Sequence, residues 1–467
     1  MAKFGVQAMH TFGDIFVCQP KSVVVSDPAD IRAVFGASSF IKARYYRAFQ
    51  LSTDNSLVTT TDIHKASKLR HMLGPYFTTT YLCRMESHVL HHGARAIVKH
   101  WDALIAQSAT GQICVNYERT YKMCIFNIIS RLVYGQELPT LGSANPEMTR
   151  QWLSNATTYI FVRGIMLLTL PNPIRYFATR LWDHRFNPFL KHVSKLIATR
   201  KELLETLDEK EKPPVDLLQA LIDCEDPESK MHLTSGQIHS EAMVNLIGGI
   251  DTTAFTLTWT THFLLLYPEC YQRAVHEVRS QFPLSDIETV PDITYNMAKA
   301  SLPFLEACVY ETMRMLPIIQ TMFPRMVSEE GITIKGHFLP GGTTVFCNIV
   351  GSQLNPKHWQ DPHRFNPERF LDPATRRTAI NSVFTFGYGG RICMGRNLAW
   401  MEMLTMLGNM LRHYDFKIPD EFTHIGPNVI DPDTGHPKLM EKTEFVACTP
   451  TYRERDCQIL VTRANAE

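Results

Sequence analysis

From Thr234 to Tyr267 the chain carries no proline and is apolar on most faces. This describes one helix of about 50 Å at 1.5 Å per residue, and a helix apolar all round has to run through a core. The fold must therefore wrap other elements around one central rod. Inside the rod, "GGIDTTAF" puts Gly248 and Gly249 in mid-helix, each costing about 1 kcal/mol against alanine. Thr252 is spaced to bond back to the Gly248 carbonyl, loosening the ladder and opening a groove on one face. Close packing of a second helix on the small residues is the alternative account of the glycines.

The remaining pattern is mainly α with small β-sheets. "GDIFVCQPKSVVVSDPADIRAVF" predicts two short strands and a helix that Ser26 or Asp27 caps, a β-rich margin at about 12–30. Helical spacing recurs over 85–108, 116–135, 147–160 and 187–208, and again in "PECYQRAVHEVRSQF", "ASLPFLEACVYETMRML" and 395–413. The charged, proline-broken run 208–216 reads as a linker. Alternation and turns over about 331–350 predict a small β-element, and "TEFVACTP" with "DCQILVTR" a last strand pair.

Bulk composition excludes several functions. There are 47 basic and 46 acidic residues, a net charge of +1, so no global field recruits nucleic acid. Eleven cysteines without a CxxC pair imply free thiols in a reducing compartment and argue against zinc. No apolar run approaches the roughly 18 residues of a spanning helix, and the opening residues lack a signal-peptide pattern.

One cysteine has an unusual setting. "TFGYGGRICMGRNLAW", 385–400, surrounds Cys393 with glycines that permit positive φ and places it just before an amphipathic helix. Unpaired N–H donors at a helix start favour a thiolate there. Such a sulfur can be a nucleophile, a zinc ligand or an axial ligand to iron, and the alternative is a structural cysteine in a turn. The GxxxxG spacing of Gly390 to Gly395 suggests a phosphate loop, but Arg396 and Asn397 follow in place of Lys and Ser/Thr.

The full string decides. Phe386, Gly389, Arg391, Cys393 and Gly395 match FxxGxRxCxG, which resembles the haem-binding signature of the cytochromes P-450, the haem-thiolate monooxygenases. The resemblance covers essentially the whole chain and implies a single catalytic domain over 1–467, with haem between the long central helix and the helix after the Cys loop. It implies haem b with Cys393 as metal ligand. It also implies cofactor contacts from Phe386, Gly395, Gly249 and the cations Arg391, Arg325 and Arg70. Many members carry Trp four residues before the last of these; this chain has Ala66. "ETMR" supplies Glu311 and Arg314, which with Arg369 of "NPERF" resemble the family's core triad. Asp251 and Thr252 fall in the oxygen-activation stretch as proton-delivery residues.

The implied activity is hydroxylation with O2 and NADPH-derived electrons. Only 74 residues follow Cys393, too few for a fused flavin domain, so a separate NADPH reductase is expected to dock on a basic patch that includes Lys68, Arg70 and Arg396. Met243, Leu246, Ile247 and Ile250, with Ile318, Ile319, Met322 and Phe323, are candidate pocket residues; all are apolar. They indicate a bulky lipophilic substrate, a steroid or terpenoid ahead of a fatty acid because no fixed cation suggests itself for a carboxylate. Microsomal and fungal members usually begin with an anchor helix. The chain is expected to have lost one and to belong on the cytosolic face of the endoplasmic reticulum membrane, with 164–182 resting on the lipid surface. A lipid-hydroperoxide isomerase on the same fold and a non-catalytic haem sensor or carrier are the rival readings.

Overall fold

In the computed structural model, the described residues are 2–50, 54–135, 166, 170, 171, 173–206, 215–320, 324–444 and 447–465. The helix expected at 147–160, most of the 208–216 linker, most of 164–173, and Met322 and Phe323 lie outside them.

The elements that frame the site run in chain order as follows. Helix α1, Ala2–Phe12, precedes strands β1, Ile15–Gln19, and β2, Ser22–Val25. Helix α2, Pro28–Gly36, follows, with Asp27 as its cap accepting from the Ala29 N–H, and then strand β3, Phe40–Lys42. Helices α3, Ile63–Leu73, α4, Tyr117–Tyr134, and α5, Ser235–Leu266, come next. Helix α6, Pro303–Met315, strands β4, Arg325–Val327, and β5, Thr344–Cys347, and helix α7, Arg396–His413, complete the frame.

The central rod predicted from Thr234 to Tyr267 is α5. A capping box fixes its start: the Thr234 side chain accepts from the Gln237 N–H, and the Gln237 side chain accepts from the Thr234 N–H. From Thr253 to Leu266 every residue of α5 is buried, and α4, α6 and α7 pack on it. Phe263 stacks on Phe365 with ring centres 4.7 Å apart, and Trp259 donates its indole N–H to the Cys448 carbonyl. The helix thus buries apolar bulk on all sides, as its composition requires.

The strands depart from the expected pairing. β2 runs parallel to β5, in a sheet ordered β1-β2-β5-β4-β3 that joins both margins of the sequence. "TEFVACTP" does not pair with "DCQILVTR". Instead Lys442–Glu444 folds back on Cys448–Pro450, while Gln458–Arg463 is the middle strand between Gln112–Asn116 and Tyr414–Lys417. Local alternation identifies a strand but says nothing about a partner several hundred residues away. Among the described residues no helix is long and apolar enough to cross a membrane.

Candidate functional site

Between α5 and the loop before α7 lies a cavity of about 500 Å³. One wall is the α5 stripe Gly248, Thr252, Thr253 and Thr256, and the opposite wall is the loop from Thr385 to Met394. Ile318, Ile319, Leu57 and Val58 supply apolar surface, and Lys42, Arg70, Arg325 and Arg391 supply positive charge.

The loop is shaped by its glycines. Gly387 and Gly389 take φ of +74° and +67°. A Cβ on Gly389 would lie 2.9 Å from Cα of Gly36, so the loop rests directly on the end of α2. The Cys393 N–H closes the turn on the Phe386 carbonyl at 2.8 Å, and α7 starts three residues later with Gly395 at its cap. The sulfur is exposed to the cavity, with dense protein around the cavity itself. Burial raises the thiol above its ordinary value; the N–H of Gly395, the charges of Arg70 and Arg396 and the Arg396 N–H act in the opposite direction and offset part of it. The helix start alone does not make the anion that the sequence suggested. A cation at the sulfur would be needed to do so.

The charged edge is built from distant segments. Arg70 of α3 donates to the Ile392 carbonyl at 2.8 Å, Arg391 to the Phe40 carbonyl, and Arg325 of β4 to the Tyr46 hydroxyl. These acceptors carry no negative charge. Burial pulls the Arg391 guanidinium down from its usual range, and Arg325 adds to the effect. A planar group with a metal cation for the sulfur and carboxylates for the three guanidiniums matches this donor set, and haem is such a group.

The other sequence candidates divide clearly. Thr252 faces the cavity and donates to the Gly248 carbonyl at 2.7 Å. Asp251, one residue before it, points to α4 and pairs with Lys122 at 2.9 Å. Gly249 also faces α4: a Cβ there would meet Ile129 Cδ1 at 2.9 Å, so helix packing explains it, and Gly248 is the glycine that borders the cavity. Met243, Leu246 and Ile250 are buried in the core and do not line the cavity, and Ile247 packs against the core without lining it. A stripe at helical spacing has a phase that composition does not disclose. Ile318, Ile319 and Phe386 do line the cavity.

Glu311 and Arg314 form two parallel hydrogen bonds of 2.6 and 2.8 Å, and Arg369 joins Glu311 at 3.3 Å. Of the cations expected to dock a reductase, Arg70 is committed to the cavity edge and Lys68 to Asp226 at 2.9 Å; Arg396 remains exposed. Two residues escaped the sequence reading. Lys42 lines the cavity, and Glu402 of α7 is fully buried, its carboxyl pushed up to about 8 by burial while Thr253 pulls it back. Neither lies in a motif, though a glutamate on the apolar side of α7 was a visible anomaly.

The family model described as cytochrome P450 matches residues 1–429. The protein named cytochrome P450 monooxygenase helB2 from Aspergillus fumigatus is 37% identical over 97% of this chain and 87% of its own length. The cytochrome P450 monooxygenase helB1 of the same organism is 37% identical over 97% of this chain and 76% of its own. The crystal structure of the cytochrome P450DA haem domain superimposes with a TM-score of 0.79 at 19% identity, covering all of this chain and 93% of that one.

Proposed function

The chain belongs to the cytochrome P450 family, and on that premise we propose that it holds haem through Cys393 and hydroxylates a bulky lipophilic small molecule. It is a monooxygenase whose cofactor is a haem with a thiolate ligand and whose co-substrates are O2 and NADPH-derived electrons. When bound, the haem supplies the activation of O2 for transfer of one oxygen atom to a C–H bond. The observation that carries the reading is the meeting of Cys393, Thr252, Arg70, Arg325 and Arg391, from four separate segments, at one cavity.

Cys393 offers its sulfur to the iron, with Phe386 and Gly395 shaping the loop around it. Arg70, Arg325 and Arg391 bind the carboxylates of the cofactor. Thr252 holds a proton at Oγ1, which donates to the Gly248 carbonyl, and Asp251 connects that turn of the helix to Lys122 and the space between α4 and α5. The triad of Glu311, Arg314 and Arg369 ties α6 to the segment from Asn366 to Arg369. The entire chain, 1–467, acts as one catalytic domain.

The apolar wall of Leu57, Val58, Ile318 and Ile319 supports a steroid or terpenoid substrate. The lack of a cation, the sequence ground for placing fatty acids second, does not hold, since Lys42 lines the same cavity. A separate NADPH reductase delivers the electrons, and the cytosolic face of the endoplasmic reticulum is the proposed location. The test is to reduce the purified protein with dithionite and add carbon monoxide. A Soret band at about 450 nm supports thiolate ligation by Cys393, and Cys393→Ala is expected to abolish it. A variant that keeps the band would overturn the assignment.

A further inference from the structure

The cavity edge has a fourth cation that no motif announces. Lys42 ends β3, and in the antiparallel register it lies opposite Arg325 of β4. Like charges directly opposite one another on adjacent strands are destabilising. Its ammonium donates to the carbonyls of Leu57 at 2.6 Å and Val58 at 3.0 Å and lies 5.4 Å from the centre of the Tyr46 ring. An ammonium has three donors, so one is open to a ligand. Tyr46 also takes the hydrogen bond from Arg325, which makes Lys42, Tyr46 and Arg325 one contiguous group.

The surroundings of Lys42 are costly. Burial first, then Arg325, Arg391 and Arg70, push its pKa down to about 7. Glu241 of α5 acts the other way, but its carboxylate is bonded to the Leu57 N–H at 2.5 Å rather than to the ammonium. Ala66 of α3 lines the same cavity and offers no side-chain donor. A lysine kept among three guanidiniums at this expense needs an anion to justify it.

We propose that Lys42 is a carboxylate-binding residue of the cavity and holds a propionate of the haem together with Arg325. The inference rests on the reading that haem occupies this cavity. A propionate suits the position better than a substrate acid because the register pairs Lys42 with one of the cofactor cations and the Tyr46 hydroxyl bonds to that same arginine. An arriving carboxylate restores the ammonium to its charged form, so haem uptake near neutral pH carries a proton with it.

The test compares wild type, Lys42→Met and Lys42→Arg as holoproteins, following haem transfer to excess apomyoglobin. Lys42→Met is expected to lose haem about tenfold faster, as for one charge-assisted contact of roughly 1.4 kcal/mol, with the reduced carbon monoxide band unmoved. Lys42→Arg is expected to restore the wild-type rate. The apoprotein of Lys42→Met loses the hydrogen bonds to the Leu57 and Val58 carbonyls but relieves a cluster of like charges, so it should melt close to wild type; haem loss matched by apoprotein destabilisation would mean a structural role and overturn the proposal. Equal haem loss in Lys42→Met and wild type would overturn it too. So would a Lys42→Met variant that keeps its haem but binds long-chain carboxylic acids, and not the matching alcohols, more weakly by spin-state titration. A wild-type protein that takes up no haem would remove the functional reading itself, and this proposal with it.

Discussion

Glu311 and Arg314 meet through two parallel hydrogen bonds with both side chains at 0% exposure, and the arginine donates further to the Gln353 and Pro362 carbonyls. Glu311 also accepts from the Asn366 N–H at 2.9 Å, so one carboxylate ties α6 to the loop that carries Arg369. Removing one partner leaves a buried charge without its counter-ion, which costs about 3–5 kcal/mol. Glu311→Gln is therefore expected to lower the melting temperature sharply and to reduce the yield of haem-loaded protein. Arg369→Lys, at a partly exposed and longer contact, should cost much less, and thermal denaturation of both distinguishes them.

Thr252 and Asp251 are adjacent in sequence yet face different partners, the cavity and Lys122. Thr252→Val removes the hydroxyl at the cavity while keeping the shape. Product formation is expected to fall about a hundredfold, the lower range for loss of a proton-transfer group, with substrate-binding spectra unchanged. Lys122→Met should leave the same spectra alone and alter the pH profile of turnover. An unaltered profile would show that Lys122 has no part in proton delivery.

The loop glycines differ in what they tolerate. Gly389→Ala must place a methyl 2.9 Å from the Gly36 backbone at a positive φ, a strain of about 1–3 kcal/mol. Nothing lies within 4 Å of a Cβ on its neighbour Gly390. Gly389→Ala should speed haem loss and broaden the Soret band, and Gly390→Ala should do neither.

Glu402 sets a pH dependence. Its folded pKa is raised to about 8 from the ordinary 4.5, so the folded state holds a proton that the unfolded state gives up. The folded state is favoured below pH 4.5, and that advantage is lost steadily as pH climbs to about 8 and is constant above. Glu402→Gln keeps the shape without the titration. The melting temperature of the variant relative to wild type should rise between pH 5 and 8, and a flat difference would mean that Glu402 does not change protonation.

The central helix and the Cys loop were legible because they depend on neighbours in sequence: a proline-free apolar run, and glycines spaced around Cys393. Glu311 and Arg314 share a helix face and were legible as a local pair; Arg369 joined them only through the resemblance of "NPERF" to the family's triad. What could not be read was phase and partnership. Met243, Leu246 and Ile250 have the chemistry of a pocket, yet 3.6-residue geometry turns them away from Gly248 and Thr252 and into the core. Gly249 looked like a cofactor contact and instead lets Ile129 approach. Lys42 stayed hidden because its position rests on the pairing of β3 with β4, segments nearly three hundred residues apart.

The parallel pairing of β2 with β5 has a consequence for how the protein is made. Ser22–Val25 has no sheet neighbour on that side until Thr344–Cys347 has been synthesised. At the usual 5–20 residues per second, the first strand waits roughly 15–60 s for its partner. The ledge at Gly36 waits longer still, for Gly389. A ribosome-bound chain therefore holds an incomplete cavity until the loop that carries Cys393 has been made, and the half-built sheet exposes an unpaired edge for most of that time. Cofactor loading must follow synthesis of that loop, and the interval before it is when this protein is most open to aggregation or to capture by a chaperone.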